Sequence, residues 1–164
     1  MRKLYLMIGA PGSGKSTWIK NNMPKEAAYI SRDEIRFAMV AEDEQYFSKE
    51  KQVYKEFIHQ IDEALTQGKD VFVDQTSLNY GARQKLFNAL TEKPSRTIAI
   101  YIKKPLDIIL KYNAKRSGRA YVPEDAVINM YNSIQEPNYK EGFDWIYIVT
   151  HKKTTMKGRD NNAR

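Results

Sequence analysis

A chain of 164 residues with 41% hydrophobic and 29% charged side chains is sized and composed for one globular domain with a real core. It holds no cysteine and only two histidines, His59 and His151, far apart in sequence, which excludes disulfides, thiol chemistry and thiolate metal sites and offers no zinc pattern. The net charge of +7 favours polyanionic partners, nucleotides and nucleic acid among them.

The opening stretch, MRKLYLMIGAPG, has a basic start but too few apolar residues before its first glycine for a signal-peptide core or a membrane span. The expectation is a soluble, cytoplasmic protein that makes no use of a membrane. Residues 3–8 (KLYLMI) read as a buried strand, followed by a glycine-rich turn and a helix over 15–23. A short strand at 27–30 leads into a helix over 32–40, and the acidic AEDEQYF (41–47) reads as a solvated connector. From 48 to 67 the apolar Tyr54, Phe57, Ile58, Ile61 and Leu65 recur at helical spacing, with Gly68 as the stop.

DVFVD (70–74) is a continuous apolar strand ending in an aspartate, before a helix over 80–92 and a buried strand over 96–102. Helices over 105–118 and 123–136 each open on proline, at a position a first turn permits. Residues 144–150 make the last strand. The domain is expected to run from 1 to 150, with 151–164 a basic, frayed tail. All-apolar strands alternating with amphipathic helices predict a parallel sheet covered on both faces. Ligands then bind at the carboxyl ends of the strands, where glycines 9–14, Asp33, Arg36 and the segment 74–79 fall.

GAPGSGKS (9–16) matches G-x-x-x-x-G-K-[ST] and lies between a strand and a helix, as a phosphate loop must. Gly9, Gly12 and Gly14 permit the backbone turns that aim amides at an anion, with Ser13 between them and Thr17 just inside the helix. Lys15 supplies a point charge for the β- and γ-phosphates, and the Ser16 hydroxyl suits Mg²⁺. The motif predicts a Mg²⁺-dependent site for a nucleoside triphosphate, ATP.

A kinase also needs a base for the acceptor hydroxyl and cations around the phosphoryl group in flight. Asp33 is the candidate base. Arg36, on the same helical face, suits bidentate capture of an anionic part of the acceptor. The same pair also fits an aspartate balancing the helix dipole beside a surface arginine. KRSGRAYVP (115–123) is a basic turn between two helices, suited to close over the triphosphate and bring Arg116 or Arg119 to the phosphoryl group. Cations at a helix C-terminus have a dipole role as well. Asp74 suits a Walker-B-type acid on Mg²⁺, while Thr76, Ser77 and Asn79 are both hydrogen-bonding and turn-forming types. For Ser77 the turn reading is preferred.

With these segments together, the chain resembles the kinase domain of phage-type polynucleotide 5′-kinases, from the first strand to about residue 140. The resemblance rests on IGAPGSGKSTW, SRDEIR directly after the second strand, TSLN and NAKRSGRAYVP. It implies an adenylate-kinase-like P-loop fold: a three-layer α/β sheet of five parallel strands in the order 2-3-1-4-5, with helices on both faces and a helical lid. It further implies that Asp33 activates the 5′-hydroxyl of DNA or RNA and that Arg36 binds the 3′-phosphate of the acceptor nucleotide. Thr76 and Asn79 would line the acceptor channel, and Arg116 would touch the transferring phosphate. There are departures: Tyr112 stands where the family often has a second lid arginine, with Arg119 the candidate to replace it in function, and Gln75 stands where an acidic residue is expected, with Asp74 one place earlier. The phosphatase motif D-x-D-G-T of the bifunctional members does not occur in these 164 residues. Two other readings stay open: a P-loop kinase of a small metabolite or nucleotide sugar, since fold does not fix substrate, and an ATP-gated module that binds nucleic acid.

Overall fold

The computed structural model describes residues 2–159. Its elements in chain order are β1 (Lys3–Ile8), α1 (Lys15–Asn22), β2 (Ala28–Ser31), α2 (Arg32–Met39), α3 (Glu50–Thr66), β3 (Val71–Asp74), α4 (Tyr80–Ala89), β4 (Arg96–Ile102), α5 (Leu106–Ala114), α6 (Glu124–Asn132), β5 (Trp145–Val149) and β6 (Thr154–Met156). Short 3₁₀ turns lie at Gly118–Ala120 and Tyr139–Glu141. The strands form one sheet in the order β2-β3-β1-β4-β5-β6. The first five run parallel, so the expected 2-3-1-4-5 order holds.

The sheet has a sixth strand that the sequence reading did not expect. Residues 154–156, assigned to a frayed tail, run antiparallel to β5, with Val149 opposite Thr154 and Tyr147 opposite Met156. Thr-Thr-Met between lysines has no apolar run to announce a strand; pairing with β5 supplies the order that local sequence does not. The last five residues of that tail, 160–164, lie outside the described residues.

Side-chain alternation explains why the strands read as unbroken apolar runs. Leu4, Leu6 and Ile8 of β1 join Phe57, Ile61 and Leu65 of α3 and Leu86 of α4 in one core. Met7 faces the other way, with Ile19 of α1 and Phe72 of β3, as a period of two requires. On that second side the Tyr5 and Phe72 rings stack with centroids 4.2 Å apart. With both faces covered, neither set of alternate positions is left for polar residues. A third cluster, Ala10, Ile109 and Val127, seats α5 and α6 against the first glycine-rich loop.

Two local devices set the loops at the strand ends. Ser31 caps α2, its hydroxyl accepting from the Glu34 amide at 3.2 Å, and Asp33 and Glu34 complement the dipole in the first turn. Asn79 caps α4 by accepting from the Ala82 amide at 2.8 Å. Between β3 and α4, Ser77 sits at φ 49°, a left-handed conformation that costs a non-glycine residue energy. It is held there by Arg83. That guanidinium is fully buried, donates to the Ser77 carbonyl at 2.8 Å and pairs with Glu141 through bonds of 2.7 and 3.0 Å. Among the described residues, no helix is long and apolar enough to cross a membrane.

Candidate active site

The loop after β1 is shaped for an anion by its glycines. Gly12 (φ 82°) and Gly14 (φ 94°) occupy the left-handed region, and Gly14 is the N-cap of α1 without any side-chain cap. The first turn of α1 carries no acidic residue, unlike that of α2, so its amides and positive dipole end remain for a phosphate. A Cβ on Gly9 would stand 2.6 Å from the buried Ser13 Oγ. That hydroxyl is without a hydrogen-bond partner in the structure. Thr17 lies exposed in the same turn.

A Cβ on Gly12 would stand 2.8 Å from the Ile109 carbonyl oxygen of α5, a backbone atom that cannot swing away. Gly12→Ala therefore combines a steric conflict with a strained φ, and is expected to cost roughly 1–3 kcal/mol. Thermal melting of the variant should show the drop, and an unchanged midpoint would mean the loop has room the structure denies it.

Lys15 lies folded back on this loop, its ammonium donating to the carbonyls of Gly9 and Ala10, both at 3.0 Å. Burial lowers its pKa to about 8; the positive field of Arg116 adds to that effect, and the negative fields of Asp74 and Asp33 oppose it. Lys15 is thus within electrostatic reach of all three other groups proposed for chemistry.

Ser16 Oγ donates to Asp74 Oδ2 at 2.7 Å. A hydroxyl and a carboxylate this close form a hard-oxygen pair of the kind Mg²⁺ takes alongside phosphate oxygens and water. The donor set fits that ion. The same Asp74 oxygen accepts from the Tyr29 hydroxyl at 2.6 Å; burial and this bond push the Tyr29 pKa up, so the phenol stays a donor and fixes the carboxylate.

On the acceptor side, Asp33 and Arg36 do share a face. Arg36 Nη1 donates to Asp33 Oδ1 at 2.5 Å, with the Asp33 side chain 64% exposed and that of Arg36 only 7%. The bidentate edge of Arg36, however, is already closed by Glu50, through Nε to Oε2 at 2.9 Å and Nη2 to Oε1 at 2.7 Å. In this arrangement Arg36 has its Nε–Nη2 edge on Glu50 and its Nη1 edge next to Asp33. Glu50 also accepts from Arg32 at 2.6 Å, and the Arg36 hydrogen bonds hold its carboxyl below the usual range.

Three other expected residues take distinct places. Thr76 touches the phosphate loop through its backbone, its carbonyl accepting from the Gly9 amide at 3.1 Å. Asn79 uses its side-chain oxygen on the α4 cap, the turn-forming role that its residue type also fits. Arg119 donates to the Phe37 and Val40 carbonyls at the end of α2, with its guanidinium 4.8 Å from the Phe37 ring centre. It fastens the lid turn to α2. Arg116, one turn before it, donates to the Ala120 carbonyl at 3.3 Å.

Sequence reasoning missed Glu50, Tyr29 and Lys104. The Lys104 ammonium lies 2.9 Å from where a Gly14 Cβ would stand, beside the loop, and 5.1 Å from the centre of the Tyr112 ring. A cation is thus present next to Tyr112, where the resemblance leads one to expect an arginine.

Residues 4–137 match the family model AAA_33, described as AAA domain. The L-seryl-tRNA(Sec) kinase of Methanococcus maripaludis is 32% identical over 148 residues, covering 86% of this chain and 56% of the relative. An Acanthamoeba polyphaga mimivirus protein bearing the name of a bifunctional polynucleotide phosphatase/kinase is 28% identical over 156 residues, 91% of this chain and 33% of its own length. The chain therefore spans about half or less of these relatives. In the solved Pnkp1/Rnl/Hen1 RNA repair complex, one chain superposes with a TM-score of 0.69 at 22% identity, over 98% of this chain and 50% of that one; the likeness there is one of fold.

Proposed function

Because the chain belongs to the AAA_33 family and has a P-loop kinase fold, we propose that it moves the γ-phosphate of ATP to the 5′-hydroxyl of a polynucleotide. The observation that carries this reading is geometric: at the end of the phosphate loop Ser16 is hydrogen-bonded to Asp74 at 2.7 Å, and at the start of α2 the exposed Asp33 carboxylate is paired with the buried Arg36. A metal-type carboxylate beside the loop and an acceptor-type carboxylate beside a cation are the two halves that a kinase needs.

In this reading the 5′-oxygen attacks the γ-phosphorus while Asp33 accepts its proton. The new O–P bond forms as the bond from the γ-phosphorus to the β,γ-bridging oxygen breaks, and ADP leaves with the pair. Lys15 and Arg116 offset the charge on the phosphoryl oxygens and the bridge. Ser16 and Asp74 would hold Mg²⁺, which neutralises the β- and γ-oxygens when bound. The 64% exposure of the Asp33 side chain leaves it open to an acceptor arriving from solvent. The net charge of +7 suits a polyanionic one.

A second reading has one specific observation behind it: the 32% identity to an L-seryl-tRNA(Sec) kinase, which makes an aminoacyl-tRNA hydroxyl an alternative acceptor. One experiment separates these. Incubation with γ-labelled ATP and a panel of 5′-hydroxyl DNA, 5′-hydroxyl RNA, seryl-tRNA and small sugars should label the 5′-hydroxyl ends, with an acceptor affinity that falls steeply with salt. Label on seryl-tRNA or a sugar alone would replace the reading. ATP-dependent retention of oligonucleotide with no label anywhere would point to a binding module instead.

A further inference from the structure

We infer that the ring of Phe47, backed by Tyr46 and Arg36, is a stacking platform for the nucleobase of the acceptor's 5′-terminal nucleotide; the inference rests on the polynucleotide reading above. The connector 41–47 is acidic and reads from sequence as a solvated loop. Its last two residues do something else. Phe47 stands edge-on to Tyr46, with ring centres 4.7 Å apart and planes at 86°. The Arg36 guanidinium lies 4.9 Å from the Tyr46 centre and 5.3 Å from that of Phe47. Tyr46 is in turn edge-to-face with Phe37 of α2 at 6.2 Å.

Phe47 nonetheless keeps 64% of its surface in solvent, the largest value for a large apolar side chain among the described residues. An isolated exposed phenylalanine would need no explanation. This one is braced by a second aromatic ring and a cation, and it is joined to the proposed base: Arg36 donates to Asp33, and the Tyr46 hydroxyl reaches the same Asp33 oxygen at 3.4 Å. A sugar with its 5′-oxygen at Asp33 and its 3′ side toward Arg36 carries its base into that neighbourhood.

Charge decides which part of a nucleotide belongs there. Residues 41–48 contain Glu42, Asp43 and Glu44 and neither lysine nor arginine; Lys49 pairs with Glu44, and Arg36 is the cation beside the ring, so a backbone phosphate belongs at Arg36 while the Phe47 ring itself offers only a flat apolar face. An uncharged, flat, polarisable ring is what it can receive. Stacking on an aromatic side chain is tolerant of base identity, and an adjacent guanidinium adds to it.

The test compares two single-stranded oligonucleotides that differ only in the 5′-terminal nucleotide, one with its base and one abasic, each with a 5′-hydroxyl. The wild type should use the base-bearing acceptor roughly tenfold better in kcat/KM, mainly through KM. In Phe47→Ala that ratio should collapse toward one, and Phe47→Trp should restore it. Mg·ATP affinity and the melting midpoint should move little in either variant, since the side chain is mostly in solvent. A wild type indifferent to the base, or a Phe47→Ala variant that keeps the full ratio, overturns the platform while leaving the kinase reading intact. A wild type that labels neither oligonucleotide overturns the kinase reading, and the platform with it.

Discussion

Asp33→Asn lowers phosphoryl transfer by roughly 10²- to 10⁴-fold, the contribution of a positioned general base, while Mg·ATP binds as before. The substitution keeps shape and a hydrogen-bond acceptor but removes the site for the acceptor's proton. Asp33 belongs to the first turn of α2 and is mostly exposed, so fold stability should be little affected. Among the described residues it is paired with Arg36, and Arg36 stays held by Glu50 on its other edge. Parallel measurement of single-turnover transfer and of Mg·ATP affinity checks both halves. A variant that still transfers near the wild-type rate would remove Asp33 from the chemistry and return the pair to a surface role.

Lys15→Met gives the second large effect, in two directions. Transfer should fall by roughly 10³-fold or more, since the lysine is a cation aimed at charge that develops on the phosphoryl group. Stability should rise. In the folded chain burial lowers the Lys15 pKa from 10.5 to about 8. Below pH 8 the amine is charged in both folded and unfolded states, and its burial costs the fold the full difference. Between pH 8 and 10.5 the unfolded chain still binds the proton and the folded chain loses it, so stability rises with pH. The total is about 3 kcal/mol, offset in part by the bonds to the Gly9 and Ala10 carbonyls. The wild type should therefore melt below Lys15→Met at pH 7, with the gap closing by about pH 10.5. A gap that widens with pH would show that the buried amine is not its source.

What could be read from the sequence follows the range of the interactions involved. β1 and β4 have the bounds that their apolar runs predict, and the phosphate loop was legible because glycine, lysine and serine act there through local backbone geometry. Helix ends fared less well: α4 stops at Ala89 and α5 at Ala114, short of the predicted 92 and 118. Partner choice across the fold was not legible. Glu50 closes on Arg36 from another helix, Tyr29 reaches Asp74 from the edge strand, and Arg119 turns back to the end of α2. Nothing local distinguishes an arginine that will meet a phosphate from one that will meet two carbonyls. Asn79 shows the same limit, since one oxygen serves a cap or a ligand equally well by type.

The short β6 strand bears on how the protein behaves among its own copies. The rim of a sheet is an open row of amides and carbonyls on which any extended chain can lay itself. Without β6 that rim would be β5, Trp-Ile-Tyr-Ile-Val, a sequence rich in the residues that pair most readily. β6 takes up the Tyr147–Val149 stretch of it and presents three exposed residues in its place. Lys152, Lys153 and Lys157 flank them, and an approaching second rim would bring its own lysines against these. The segment that looked like loose tail thus acts as a selvedge, keeping a strongly pairing strand from becoming the start of an aggregate.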